Sequence, residues 1–300
     1  MSDWGKGVIN NIGWGQGANN DIGWGSIYDK SNAGDTLLGG GGGGIDPQAQ
    51  AQITRIQNAG GTIEDANVIN EDIKFLKSIG LFANLKYAVD PRAGIIQRVD
   101  GGDTFASKIF DYSGSDADTA NATGSEQPQK GILNGITALD FDGDDDRLTN
   151  EDTVTFLEGS PMFSVAVYAQ DFINSSPAAG MVIDKFSPDA SGLDFGRRQK
   201  NIALFATGDL EFTAFQTVQI IASGISNTSN LVTGFINNVQ KTEDTININY
   251  VGKSLGSIRN RGALFYAKAQ FQKNWDFNAL PTTEQAAAIN TYLTNQFNIS

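Results

Sequence analysis

Two residue types are absent from this sequence of 300 residues: it contains no cysteine and no histidine. Without cysteine no disulfide can form, and catalysis by a cysteine nucleophile is excluded. Without histidine the chain lacks the side chain that most often serves as a general base or as a zinc ligand. Serine–histidine–aspartate hydrolases and histidine-dependent metalloproteases are therefore excluded.

Long apolar runs and basic side chains are also scarce. No stretch approaches the roughly 18 apolar residues of a membrane-spanning helix, and the first residues do not resemble a signal peptide. We therefore expect a protein made in a cytoplasm, with no membrane partner.

The net charge is −13, and residues 90–160 alone carry 15 acidic and 5 basic side chains. Because such a surface repels phosphate, we expect no nucleic-acid partner.

Glycine is abundant instead, and much of it lies in an N-terminal repeat. A Trp-Gly pair recurs every ten residues, and the docking residues that this repeat offers are Trp4, Trp14, Trp24, Ile12 and Ile22. A segment so rich in glycine and asparagine cannot bury a core, yet each tryptophan carries a large apolar surface. We therefore predict that residues 1–38 dock on a partner. The glycines at 39–44 predict a hinge, with a loop packed on a partner as the alternative.

Two short amphipathic helices are predicted after the glycines. Asp46-Pro47 is a helix-start pattern, and Gly60-Gly61 ends the first helix. The second runs from about Asn67 to Ile79. Two such helices predict a helical hairpin over residues 45–82, which needs a larger surface to pack on.

From about Leu81 onwards the apolar residues alternate with a period of two, which is typical of strands. Many short strands separated by turn residues predict a β-sandwich or jelly roll. Asn237-Asn238, between two such runs, predicts a hairpin turn because asparagine tolerates a positive φ. Near the C-terminus, Thr282 and Gln285 form a capping-box pattern that predicts a final helix.

Four segments resemble the concanavalin A-like, laminin-G-like jelly roll. They are residues 135–148, 163–168 and 231–240, and residues 263–267 together with 280–284 and the closing helix. The resemblance implies a mainly β protein with a jelly-roll β-sandwich over residues 83–300. Before it would lie an extended repeat arm with its glycine linker, residues 1–44, and the hairpin as a neck, residues 45–82. The C-terminal helix would close the sandwich.

The order of repeat, hairpin and jelly roll is similar to structural proteins of tailed bacteriophages. This resemblance implies a non-enzymatic virion protein: a head fibre, a capsid decoration or a tail-associated protein. Residues 1–38 would anchor it to capsid or tail subunits, and by analogy it would be a homo-oligomer such as a trimer. Two alternatives remain open, a receptor-binding adhesin that holds host surface glycans and a polysaccharide depolymerase.

Trp275 is the tryptophan outside the repeat, and it lies among polar residues that resemble a loop after the last strand. An exposed ring in such a loop could stack on a sugar, so Trp275 is a candidate glycan-binding residue. The favoured alternative is that it packs against the terminal helix.

Paired carboxylates are the remaining candidates for chemistry. The acidic turn from Asp140 to Asp146 resembles the start of a calcium loop, but it lacks the helix–loop–helix context of an EF-hand. We therefore expect no metal or other cofactor, with Ca²⁺ at this turn as the weaker alternative. The Glu-x-Asp-x-x-Glu pattern of jelly-roll glucanases is absent, so we expect no catalytic residues.

Overall fold

The computed structural model describes residues 44–156, 161–170 and 268–299 without a break, together with separate strands between residues 179 and 266. Before residue 44 it describes two short strands, β1 (Ile27–Tyr28) and β2 (Leu37–Leu38), which pair antiparallel. The predicted docking residues Trp4, Ile12, Trp14, Ile22 and Trp24 lie outside the described residues. The chain divides into two compact units, Met1–Pro47 and Gln48–Ser300.

The helices of the described residues lie where the sequence predicts them. They are α1 (Pro47–Asn58), α2 (Ala66–Ser78) and α3 (Thr283–Gln296). The side chain of Asp65 caps α2 by accepting a hydrogen bond from the backbone of Asn67, and Thr282 and Gln285 form the predicted capping box on α3. Each of these helices is too short to span a bilayer.

The strands of the second unit follow in chain order. The first group is β3 (Leu85–Val89), β4 (Ile95–Asp100), β5 (Asp103–Ile109), β6 (Thr119–Ala120), β7 (Gln129–Leu133), β8 (Ile136–Asp142), β9 (Leu148–Phe156) and β10 (Met162–Gln170). The second group is β11 (Ala179–Asp184), β12 (Phe195–Arg198), β13 (Asn201–Leu204), β14 (Asp209–Leu210), β15 (Gln219–Ser226) and β16 (Leu231–Ile236). The third is β17 (Val239–Thr245), β18 (Tyr250–Leu255), β19 (Ser257–Asn260), β20 (Ala263–Tyr266) and β21 (Lys268–Phe277).

The strands pair antiparallel in two long runs. One run has the order β4-β5-β7-β8-β21-β10-β15-β16-β17, and β3 pairs with the C-terminal half of β21. The other has the order β6-β9-β18-β11-β12-β13-β14, and β5 joins the two runs by pairing with β6. The predicted fold class, a mainly β jelly-roll sandwich with a C-terminal helix, is confirmed.

Two-residue turns set the register of several hairpins. Asn237 has a φ of 47° between β16 and β17, as its position between two strand-like runs predicts. Asn134 and Gly135, with φ values of 51° and 78°, join β7 to β8. Gly101 and Gly102, with φ values of 62° and 99°, join β4 to β5. In the two turns that contain glycine, positive φ at both central residues matches the twist of the flanking strands, so these turns fix which residues lie opposite each other.

The helices predicted to form a neck are bound to the strands. On α1, Arg55 forms a salt bridge with Asp118, at 3.2 Å. On α2, Asp72 accepts a hydrogen bond from the Nζ atom of Lys273 in β21, at 2.6 Å. Both contacts join residues far apart in the sequence, and α1 from Gln48 onwards and α2 belong to the same compact unit as the strands.

The contact between Asp72 and Lys273 is the centre of a buried polar network. Both side chains are buried, at 0% and 1% exposed. The second oxygen of Asp72 accepts hydrogen bonds from Tyr292 and Gln296 of α3, at 2.8 and 3.2 Å. Lys273 also lies 3.4 Å from the buried carboxylate of Asp90. The network therefore fastens α2, α3 and the end of β3 to one strand.

Asp90 shows how charge is balanced in this network. Burial alone would raise the pKa of this carboxyl, but the charges of Arg92 and Lys273 outweigh burial and lower it. Arg92 contacts Asp90 at 2.6 Å. Two cations, Lys273 and Arg92, thus face two carboxylates, Asp72 and Asp90, in the core.

We expect Lys273→Met to lower the free energy of unfolding by about 3–5 kcal/mol, because it leaves Asp72 and Asp90 buried without their shared cation. Urea-induced unfolding followed by circular dichroism measures this loss. Lys108→Met is the matched control, since Lys108 pairs with Asp118 at a partly exposed site, where about 0–1 kcal/mol is expected. Equal losses in the free energy of unfolding for the two variants would contradict the role of Lys273 as the shared cation of the buried network.

Candidate functional site

In strand β21, alternate side chains before and after a bulge at its middle lie on the same face of the sheet. Gln270 lies opposite Ala169 of β10, and Lys273 lies opposite Val167. The register shifts between these pairs, which leaves Gln272 without an opposing residue. Because directly opposed residues share a face, and Ala169 and Val167 are two positions apart, Gln270 and Lys273 lie on the same face.

At the C-terminal end of β21 this face is covered by helices. Trp275, which shares the face with Lys273, lies within the strand and is 0% exposed. Its indole N–H donates to the hydroxyl of Tyr112 at 3.1 Å, and its ring stacks on Tyr292 of α3 with the centroids 6.1 Å apart.

The prediction of Trp275 as a glycan-binding residue is therefore wrong, and the packing alternative is correct. A fully buried ring has no exposed surface on which a sugar could stack. The polar neighbours Asn274 and Asp276, whose character resembles a loop, are buried strand residues that hydrogen bond to each other at 3.3 Å.

At the N-terminal end of β21 the same face lines a pocket of about 640 Å³. Five of its lining residues lie side by side on neighbouring strands, each opposite the next in the pairing register. This cross-strand row consists of Arg98 on β4, Phe105 on β5, Gln129 on β7, Asp140 on β8 and Gln270 on β21. The row brings a cation, an aromatic ring, two amides and a carboxylate into one line.

Arg98 is held in place by its neighbours. Its Nε atom donates to Gln127 at 2.8 Å, and its two terminal nitrogens donate to Asp100 and to the carbonyl of Gly124, each at 2.7 Å. The guanidinium carbon lies 4.5 Å from the ring centroid of Phe105. Such a cation–π contact fixes the ring and covers one of its faces.

Asp140 lies in the cross-strand row between Gln129 and Gln270 and is positioned from both sides. One carboxylate oxygen accepts a hydrogen bond from the side-chain amide of Gln270 at 2.8 Å. On the other side, the carboxylate occupies space that a Cβ atom at Gly131 of β7 would fill. Burial raises the pKa of Asp140, and the hydrogen bond from Gln270 opposes this shift. The site therefore offers a well-placed hydrogen-bond acceptor.

The acidic turn forms one rim of the pocket. Carboxylate oxygens of Asp142, Asp145 and Asp146 lie within 4.8 Å of one another. Burial raises the pKa of Asp146 to about 7; the charges of Asp142, Asp145 and Asp144 add to this shift, while a hydrogen bond from the backbone of Asp142 opposes it. Ca²⁺ takes about six to eight oxygen ligands, of which three carboxylates supply a part. The expectation of no metal, with Ca²⁺ at this turn as the weaker alternative, stays a prediction.

Part of this site has a local sequence signal and part has none. Asp140 and Asp146 belong to the acidic turn that stands out in the sequence. The glycine turn at Gly101-Gly102 places Arg98 opposite Phe105, and the turn at Asn134-Gly135 places Gln129 opposite Asp140, so both pairs follow from hairpin geometry. The pairing of Asp140 with Gln270 joins residues 130 positions apart and has no local signal.

Two solved structures with a similar fold are binding domains of larger proteins. The binding domain of Paraclostridial Mosquitocidal Protein 1 superposes with a TM-score of 0.52 at 11% identity, covering 71% of this chain and 53% of that one. The botulinum neurotoxin serotype D ligand binding domain in complex with N-acetylneuraminic acid gives a TM-score of 0.51 at 11% identity, covering 74% and 53%. This chain thus spans about half the length of the structures it matches. No protein-family model and no curated protein matches the sequence.

The raised pKa of Asp146 gives a prediction about stability. Because this pKa is about 7 in the folded protein and 3.8 in an ordinary aspartate, the folded state binds more protons between these values, and stability falls as the pH rises through that range. Asp146→Asn removes the cost of ionising this buried group, and its amide oxygen can still accept the hydrogen bond from Asp142. We expect it to raise the free energy of unfolding by roughly 1–3 kcal/mol at about pH 8.

Urea unfolding at about pH 4 and about pH 8 measures this effect, with Asp103→Asn, an exposed carboxylate outside the turn, as the control. At the lower pH we expect little difference between Asp146→Asn and the parent protein. An equal gain in the free energy of unfolding at both pH values would contradict the raised pKa of Asp146 as its cause.

Proposed function

We propose that residues 44–299 form a carbohydrate-binding domain whose sugar site is the pocket above the cross-strand row. The row itself is the observation that carries this proposal. A pyranose has an apolar face and a rim of hydroxyl groups, so its site needs apolar surface beside fixed planar polar groups. Phe105 supplies the apolar surface, Gln270 and Asp140 supply fixed polar groups through their mutual hydrogen bond, and Gln129 adds an exposed amide beside them.

The similar structures support this proposal at the level of fold. One of them is a ligand binding domain in complex with N-acetylneuraminic acid, so a related fold can present a sugar-binding surface. At 11% identity the residues of that site do not transfer. The pocket in this chain is therefore argued from its own side chains.

For the whole chain we propose a structural or decoration protein of a tailed-phage virion, without enzymatic activity. The Trp-Gly repeat supports this proposal, since each buried tryptophan contributes roughly 1.5–3 kcal/mol and linkage along one segment adds effective concentration. Capsid or tail subunits would be the partners, and repeated motifs suit the repeated surfaces of a symmetric particle. The structures named above are not phage proteins, so the assignment rests on sequence resemblance. A sugar-binding domain on such a particle fits the receptor-binding alternative as well.

A glycoside hydrolase is the second candidate function, and one observation favours it. Asp140 and Asp146 line the same pocket, and both have a raised pKa. Hydrolysis by paired carboxylates needs one protonated and one ionised group. Burial shifts Asp140 and Asp146 in the same direction, so this pair lacks the opposed environments that such a mechanism uses. Binding without turnover is the better supported function.

Gly131→Ala tests the sugar site without removing any polar group of the row. The added methyl group displaces the carboxylate of Asp140, and we expect a saccharide identified on a glycan array to bind at least about tenfold more weakly by calorimetry, as for the loss of one charge-assisted hydrogen bond. Asp140→Asn, which keeps the shape but not the charge, should weaken binding to a smaller extent. Gly44→Ala is the matched control, because a Cβ atom there meets nothing within 4 Å.

The outcomes separate the candidate functions. Unchanged affinity in Gly131→Ala would remove the pocket as the site, and an array on which no saccharide binds would overturn carbohydrate binding altogether. Release of reducing ends from a bound polysaccharide would favour the hydrolase.

Deletion of residues 1–38 tests the anchoring role of the repeat. We expect the shortened chain to keep the circular dichroism spectrum of the sandwich and to be missing from purified virions, because the three repeat tryptophans supply the docking surface. Substitution of Trp4, Trp14 and Trp24 by alanine in the full chain should have the same effect. Particles that still incorporate the deleted protein would refute the anchoring proposal.

A further inference from the structure

The charges around the pocket indicate which class of saccharide it accepts. We propose that the pocket binds saccharides without an acidic group and discriminates against sialic acids, uronic acids and sulfated sugars. This inference rests on the proposed carbohydrate-binding function and makes it more specific.

Acidic groups outnumber basic groups among the residues that line the pocket. The cations are Arg98 and Lys268, and the carboxylates are Asp100, Asp140, Asp142 and Asp146. With all six ionised, the lining carries a net charge of −2 (two positive charges against four negative ones). The pKa values of Asp140 and Asp146 are both raised, the latter to about 7, which reduces this excess near neutral pH but does not reverse its sign.

Arg98 is the side chain that would be expected to bind an acidic sugar, since a guanidinium group pairs with a carboxylate through two parallel hydrogen bonds. In this structure Asp100 already pairs with it at 2.7 Å. Gln127 and the carbonyl of Gly124 accept from its other nitrogens. A sugar carboxylate would therefore have to compete with Asp100 and with these two acceptors for the guanidinium group.

Lys268 is likewise placed beside negative charge. It lies directly opposite Asp142 in the β8–β21 register, and opposite charges at such positions attract each other. Asp142 belongs to the acidic turn, from which Asp146 also lines the pocket. Neither cation of the lining is therefore set apart to receive an anion.

The remaining polar groups suit hydroxyl donors. Asp140 offers an acceptor within the cross-strand row, and an ionised carboxylate only accepts hydrogen bonds. A sugar hydroxyl or an ammonium group can donate to it, whereas a sugar carboxylate cannot and would be repelled. The net charge of −13 over the whole chain adds repulsion of anionic saccharides at longer range.

The test uses the full-length protein and matched pairs of probes that differ in charge. On a glycan array, the pairs are sialylated glycans with their desialylated forms and oligogalacturonates with their neutral methyl esters. We expect the bound saccharides to be neutral or amine-bearing, and each acidic partner to bind at least about tenfold more weakly. Added salt should reduce this difference because it screens charge.

A charge-neutralising variant tests the cause. Asp142→Asn combined with Asp146→Asn should narrow the difference in affinity within each pair several-fold, because it removes two of the four carboxylates of the lining. Asp103→Asn, which removes one exposed charge outside the lining, is the control and should leave the difference unchanged. A circular dichroism spectrum that matches that of the parent protein shows that the variant is folded.

Two results would overturn the inference in distinguishable ways. Acidic members that bind as tightly as their neutral partners would refute charge discrimination and leave carbohydrate binding intact. Absence of binding to every saccharide would refute the proposed function itself, and the inference with it.

Discussion

The ion pair between Lys273 and Asp72 is the contact on which the rest of this structure depends. It joins a strand near the C-terminus to a helix near the start of the folded unit, and both groups are removed from water. Such a pair is costly unless its remaining hydrogen-bonding positions are filled. Tyr112, Tyr292 and Gln296 fill them, so the pair forms only when the helices, the loop after β5 and β21 are assembled together. We infer that the network selects one arrangement of helices on the sheet.

The placement of the helices on the sheet determines which end of this face remains uncovered. The bulge at Gln272 keeps Lys273 and Trp275 on the same face as Gln270, and the bulge itself is held because the amide of Gln272 donates to the carbonyl of Leu133 at 3.1 Å. Helices cover the C-terminal end of this face, and the pocket occupies its N-terminal end. One strand thus provides both the attachment of the helices and the floor of the candidate site. A change in register along β21 would disturb both, since a slip by one residue turns every side chain to the other face.

Local features of the sequence predicted the helices, the hairpin turn at Asn237 and the capping box at Thr282, because each depends on residues within one or two turns of chain. The fold class followed from alternation of apolar residues and from resemblance. Strand partners far apart in the sequence could not be predicted in this way. Asp140 meets Gln270 only through the pairing of β8 with β21, and no pattern within either strand specifies the other. Each hairpin turn therefore brings one pair of site residues together, Arg98 with Phe105 and Gln129 with Asp140, and only the structure shows how the two pairs are joined.

Trp275 illustrates why local polarity misled the interpretation of β21. A tryptophan between asparagine and aspartate resembles an exposed loop, yet Asn274 and Asp276 are buried and satisfy each other on the face opposite to Trp275. Burial of polar groups is tolerated where each finds a partner, and a partner across the sheet cannot be read from the neighbours in sequence. The same reasoning explains the pocket: Gly131 lacks a side chain where the carboxylate of Asp140 lies. A missing side chain on one strand thus leaves room for the polar group of the next, and in this way the row, rather than Trp275, presents the polar groups of the candidate site.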